Sequence, residues 1–139
     1  MQVFPSVICG RLVLLLCLCG LAACNLDRPT PTPFPTPDLP RVEILAPPNQ
    51  QQVIEGTEFD IDILAVDESL GIRRIELYVD DLFVKSSETT DGVKQQYRVA
   101  MNWFAQGLGW HTIKAIALRD NGTRSDEHMI ALQVIPRRQ

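Results

Sequence analysis

From Arg41 to Pro136 the sequence predicts an all-β fold: an antiparallel β-sandwich of about seven short strands, held together without a disulfide. Three observations carry this expectation. Apolar residues recur at every second position rather than every third or fourth, which is the period of a half-buried strand. Turn residues interrupt these runs at short intervals. All four cysteines lie at or before position 24, so packing alone must stabilise the segment that follows.

The strands follow in order. Arg41 to Leu45 forms a short first strand, stopped by Pro47-Pro48. In the second, Phe59, Ile61, Ile63 and Ala65 alternate with Asp60, Asp62, Leu64 and Val66. Asp60 and Asp62 belong to the wet face of this strand and are expected to act as solubilising edge charge. Ile75, Leu77 and Val79 alternate with Glu76 and Tyr78, and a tight Asp80-Asp81 link leads into Leu82 to Lys85. Tyr97, Val99 and Met101 form the next alternation, then Ile113, Ala115 and Ala117, then Ile130, Leu132 and Val134. Glu55-Gly56, Gly71, Asp91-Gly92, Gly107 with Gly109, and Asp120-Asn121-Gly122 supply the turns. Short strands at this spacing read as a sandwich of one domain.

Three segments carry a family resemblance: Val42-Glu43-Ile44-Leu45-Ala46-Pro47, Gly71-Ile72-Arg73-Arg74-Ile75-Glu76-Leu77-Tyr78-Val79-Asp80 and Gly109-Trp110-His111-Thr112-Ile113-Lys114-Ala115-Ile116-Ala117. They resemble the bacterial Ig-like domains of surface proteins. In that family an opening strand ends near a proline, a Tyr-Val-Asp-Gly strand follows, and Gly-x-His leads into an Ala-x-Ala strand. The resemblance covers nearly all of residues 41–136 and implies an immunoglobulin-like or fibronectin III-like sandwich, used as a spacer, adhesive or accessory unit. It implies no reaction. Two loops depart from it: Asp80-Asp81 stands where the family usually has Asp-Gly, and Asp120-Asn121-Gly122 differs from the common Asp-x-x-Gly-Asn.

The N-terminal third has a different composition. Arg11, the apolar run Leu12 to Cys19, and small residues Gly20, Ala22 and Ala23 describe a secretory signal over residues 1–23. Its centre falls short of the ~20 apolar residues that span a membrane. Leu21-Ala22-Ala23-Cys24 resembles the lipobox of bacterial lipoproteins, whereas Cys9, Cys17 and Cys19 follow Ile or Leu instead of a small residue. The resemblance implies cleavage between Ala23 and Cys24 and acylation of Cys24 by palmitate-like chains. One acyl chain binds a membrane only reversibly, and two or three hold it stably. Asn25 in place of Asp favours onward transport in a two-membrane cell. Residues 24–40 then form a lipidated N-terminus and Pro/Thr-rich linker, holding six of the ten prolines. That density imposes an extended strut at ~3.1 Å per residue, roughly 40 Å long. Residues 137–139 form a tail.

Candidate functional residues are few. His111 and His128 are the only histidines; His111 opens a strand and is expected to pack or to hydrogen-bond a loop, and His128 is expected to be exposed. The chain has no Gly-x-Ser-x-Gly run and no metal-type histidine pair. Asp67, Glu68 and Asp120 are weak calcium candidates that could meet at one end of a sandwich, though no run matches a calcium loop. Asp126 and Glu127 add to the acidic turns, and Asn121-Gly122-Thr123 reads as a turn. Trp103 and Trp110 flank the Gly107-Leu108-Gly109 loop. Exposed indoles there would form a carbohydrate platform, and buried ones would close the end of the sandwich. The net charge of −4 and the absence of a basic stripe argue against nucleic acid. The expectation is therefore a monomeric, non-enzymatic protein without cofactor, tied to a membrane through Cys24, its domain facing outside the cytoplasm toward an extracellular protein or glycan. Carbohydrate binding through exposed tryptophan is the alternative.

Overall fold

The computed structural model describes residues 38–138; residues 1–23, expected to be a secretory signal, Cys24 and the Pro/Thr run up to Pro37 lie outside the described residues. Eight strands follow in chain order: β1 (Arg41–Ala46), β2 (Gln52–Ile54), β3 (Glu58–Val66), β4 (Arg74–Val79), β5 (Leu82–Glu88), β6 (Gln96–Phe104), β7 (Gly109–Leu118) and β8 (His128–Ile135). They form a three-stranded sheet, β1-β3-β6, and a five-stranded sheet, β2-β8-β7-β4-β5. No helix occurs among the described residues.

Two features differ from the expectation. The additional strand is β2, where the chain leaves the first sheet after Ala46-Pro47, a cis peptide bond, and joins the second. Its pairing with β8 is parallel, the one exception to antiparallel geometry. Gln52-Val53-Ile54, with only Val53 buried, is too short an alternation to announce a strand. The aspartate pair is the second difference. Asp60 and Asp62 lie on β3, the central strand of its sheet, so they do not guard an edge. Asp62 is instead bound by Arg98 across the β3–β6 pair, a contact that holds its carboxyl below the usual carboxylate range.

The alternation places the core as expected. Ile61, Ile63 and Ala65 of β3 face Ile75, Leu77, Ile113, Ala115 and Leu132 of the other sheet, and all are excluded from solvent. Each such Ile or Leu contributes about 1.5–3 kcal/mol on burial. The sheets are joined at both ends. At one end Ala105 N–H donates to Thr57 (2.9 Å), Gly56 N–H to Ala105 (2.8 Å) and Glu55 N–H to Ile135 (2.8 Å). At the other, Ile72 and Lys94 exchange backbone bonds of 2.7 and 3.0 Å. Gly71 makes this second join possible: its φ is +80°, and an added Cβ would lie 3.1 Å from the Val93 Cβ.

The chain arrives at that second end. Pro40 is fully buried, and Asp38 pairs with Arg119 at 3.2 Å. Arg119 also reaches Asp67 through two bonds of 2.7 and 2.9 Å. The last residues of the Pro-rich segment thus belong to the folded body.

Candidate functional site

The two tryptophans part company. Trp103 lies on β6 rather than in a loop, points inward and is 7% exposed. It meets Phe59 edge-on at 5.6 Å and His111 at 5.7 Å between ring centroids. Trp103 therefore closes the far end of the core and offers no face to a sugar, which corrects the idea of a two-indole platform. Trp110 is 58% exposed. Alternation along β7 sends Ile113, Ala115 and Ala117 inward, so Trp110 stands on the outer face of the five-stranded sheet.

Next to Trp110 in register is Gln133 of β8, and next to Gln133 is Gln52 of β2. The two amides share a 2.9 Å hydrogen bond. Neither glutamine stood out in the sequence, because their proximity depends on β2 crossing to the second sheet. One step along the sheet lie Thr112 and Ala131, and on the other side Ile54 and Ile135.

His111 faces the core side of the same strand. Its Nδ1 meets Asp80 Oδ2 at 2.7 Å and its Nε2 meets the Gly107 carbonyl at 2.8 Å. Burial works against the charged ring, but the bonds to Asp80 and Gly107 outweigh it and hold the imidazole pKa above its ordinary value. Asp80 is also partly desolvated, yet its bonds from Thr112 N–H (2.8 Å) and His111 keep its carboxyl below the usual range. Both ring nitrogens face acceptors, so neither is left to take a proton from a nucleophile. The pair clamps the β4–β5 turn onto the β6–β7 loop, as the loop-bonding reading of His111 expects.

His128 is half-buried rather than exposed: its Nδ1 accepts from Ile44 N–H at 3.1 Å, joining β8 to β1. Two of the three calcium candidates, Asp67 and Asp120, have other engagements. Asp67 is held by Arg119, which keeps its carboxyl below the usual range against the pull of burial. Asp120 lies 3.7 Å from Arg73, and Glu68 is exposed. Among the described residues no group of three or more His, Cys, Asp or Glu is arranged to hold a metal ion. Glu127 pairs with Lys114 at 3.3 Å, while Asp126 is exposed. Cys24 and Ala23 lie outside the described residues.

A family model described as bacterial Ig domain matches residues 40–115. The chain belongs to that family. No curated protein matches it. Among solved structures, this bacterial Ig domain is similar to fibronectin(III)-like modules of Clostridium thermocellum CbhA, with 24% identity and a TM-score of 0.55 over 70% of this chain and 100% of the module. A CARDB domain from Pyrococcus furiosus, described in complex with di-metal ions, is 16% identical with a TM-score of 0.52, over 73% of this chain and 99% of that one. The SrpA adhesin of Streptococcus sanguinis is 18% identical with a TM-score of 0.50, over 73% and 58% respectively. At these identities the likeness is one of fold. The bacterial Ig domain here thus has the β-sandwich that its periodicity predicts, of the Ig-like and fibronectin III-like kind that the resemblance implies.

Proposed function

We propose that this chain is a non-enzymatic, lipid-anchored protein of the cell envelope that holds one Ig-like domain away from a membrane for adhesion, ligand contact or structural spacing. The observation that carries the reading is the attachment of the linker. Buried Pro40 and the Asp38–Arg119 pair fasten the Pro-rich segment to one end of the sandwich, and Trp110 stands near the other. Trp110 near the start of β7 and Arg119 just past its end are nine residues apart, roughly 30 Å at ~3.3 Å per residue. An anchor at Cys24 would place the membrane on the N-terminal side of this attachment point. The likeness to the SrpA adhesin is consistent with a surface role. The test is metabolic labelling with a palmitate analogue. Wild type is expected to label and to partition with membranes, and Cys24→Ala to do neither. Equal labelling of both would overturn the anchor.

A second reading, carbohydrate binding, is favoured by the exposure of Trp110 alone. A broad glycan array probed with wild type and Trp110→Ala tests it, and binding that ignores the substitution would reject it.

A further inference from the structure

The outer face of the five-stranded sheet carries a row that combines one stacking surface with two hydrogen-bonding groups. Trp110, Gln133 and Gln52 occupy directly paired positions on β7, β8 and β2. Strands sit ~4.8 Å apart, so the row spans about 10 Å. The bond between the two amides uses one carbonyl and one N–H. Whichever way the amides are turned, one carbonyl oxygen and one NH₂ group remain, and no partner for them occurs among the described residues. The indole N–H of Trp110 likewise has no partner there. Stacking face, donor and acceptor therefore stand side by side.

The surroundings narrow the ligand. Thr112 and Ala131 on one side are short, in keeping with the exposure of the indole, and Ile54 and Ile135 on the other are apolar. None of these side chains carries charge. Lys114, two residues along β7, is neutralised by Asp81 at 2.8 Å and Glu127 at 3.3 Å. Arg137 and Arg138 follow the end of β8 in the chain. The surface is a sheet face, and small ligands are held in concave sites that cover most of their area. A free monosaccharide would touch this face on one side only, whereas a polymer repeats the contact.

We infer that this face binds an uncharged polysaccharide chain lying flat across β7, β8 and β2. One pyranose ring stacks its C–H face on Trp110, and hydroxyls of the neighbouring unit bridge the outward amide groups of Gln133 and Gln52. This deepens the carbohydrate reading and rests on it: it adds the polymer, its lack of charge and the amide pair.

The experiment uses the full chain in detergent, with insoluble cellulose and chitin as neutral probes and soluble polygalacturonate as the anionic comparison. Retention on at least one neutral polymer is expected. Trp110→Ala should weaken it about tenfold or more. Gln133→Leu should weaken it several-fold, Trp110→Phe should keep part of it, and none of these should change the melting temperature appreciably. Trp103 is buried, so a shift of tryptophan emission on binding should vanish in Trp110→Ala. Failure to retain on either polymer overturns the inference, as does retention indifferent to Gln133→Leu. Binding to polygalacturonate alone, still dependent on Trp110, overturns the uncharged polymer but leaves the broader carbohydrate reading. Binding of any glycan that ignores Trp110 overturns both. Labelling of Cys24 is unaffected by every outcome.

Discussion

Arg119 and Asp67, 52 residues apart in sequence, form a two-point ion pair with side chains 6% and 2% exposed. The pair ties the end of β7 to the end of β3, and Asp38 adds the incoming chain at 3.2 Å. Two charges so enclosed satisfy each other, and removing one leaves the other buried without a partner.

Arg119→Met should therefore lower the thermal midpoint by about 10 °C or more, and the double variant with Asp67→Leu should recover much of the loss. Thermal melts followed by circular dichroism decide it. The pair also shapes acid stability. The folded-state pKa of Asp67 is depressed below its unfolded value, so its stabilisation is present above about pH 3.9 and is lost as pH falls through the folded pKa. The double variant should show a flatter acid limb than wild type.

His111 predicts the opposite slope. Its folded pKa is raised, so its contribution is complete below the unfolded value of about 6.5 and disappears as pH climbs through the folded pKa. NMR titration should place the His111 transition above 6.5, and Asp80→Asn should move it down. A His111 pKa insensitive to that substitution would refute the clamp.

The β4–β5 turn offers a contrast between neighbours. Asp80 and Asp81 have φ of +50° and +65°, the left-handed pair that a two-residue hairpin requires and that glycine fits best. Asp81 is mostly exposed and bonds only Lys114. Asp81→Gly should leave stability equal or raise it by about 0.5 kcal/mol, since relief of the left-handed cost slightly exceeds the entropy glycine adds to the unfolded chain. Asp80→Gly should destabilise, because it removes the acceptor of His111 and Thr112. Chemical denaturation of the two variants gives the comparison directly.

The tryptophans should behave as oppositely as their positions. Trp103→Ala opens a large void against Phe59 and His111 and should cost about 3–5 kcal/mol. Trp110→Ala should stay within about 0.5 kcal/mol of wild type, as an outward residue on a solvated face. Urea titrations of both variants test this.

Most of the sandwich was legible in the sequence because alternation reports burial one residue at a time. Ile61-Asp62-Ile63 names its own faces, and the Asp80-Asp81 link announces its own hairpin. Strand β2 escaped because three residues carry too little periodicity. Asp62 was misjudged as edge charge because pattern says which face a residue occupies, never which strand lies beside it. Arg119 carries no local signal, since its partner Asp67 lies 52 residues away in the chain.

By itself the sequence determined the all-β class, the membership of the core and the expectation of an exported chain acylated at Cys24, since each depends on neighbours in the chain. The tertiary structure decided which tryptophan is buried, which carboxylates are consumed by Arg119 and His111, and that Gln52 and Gln133 meet beside Trp110. Those outcomes depend on strand order and register. A residue's chemistry is set there by groups brought within a few ångströms across tens of positions of chain, and no local pattern encodes that distance.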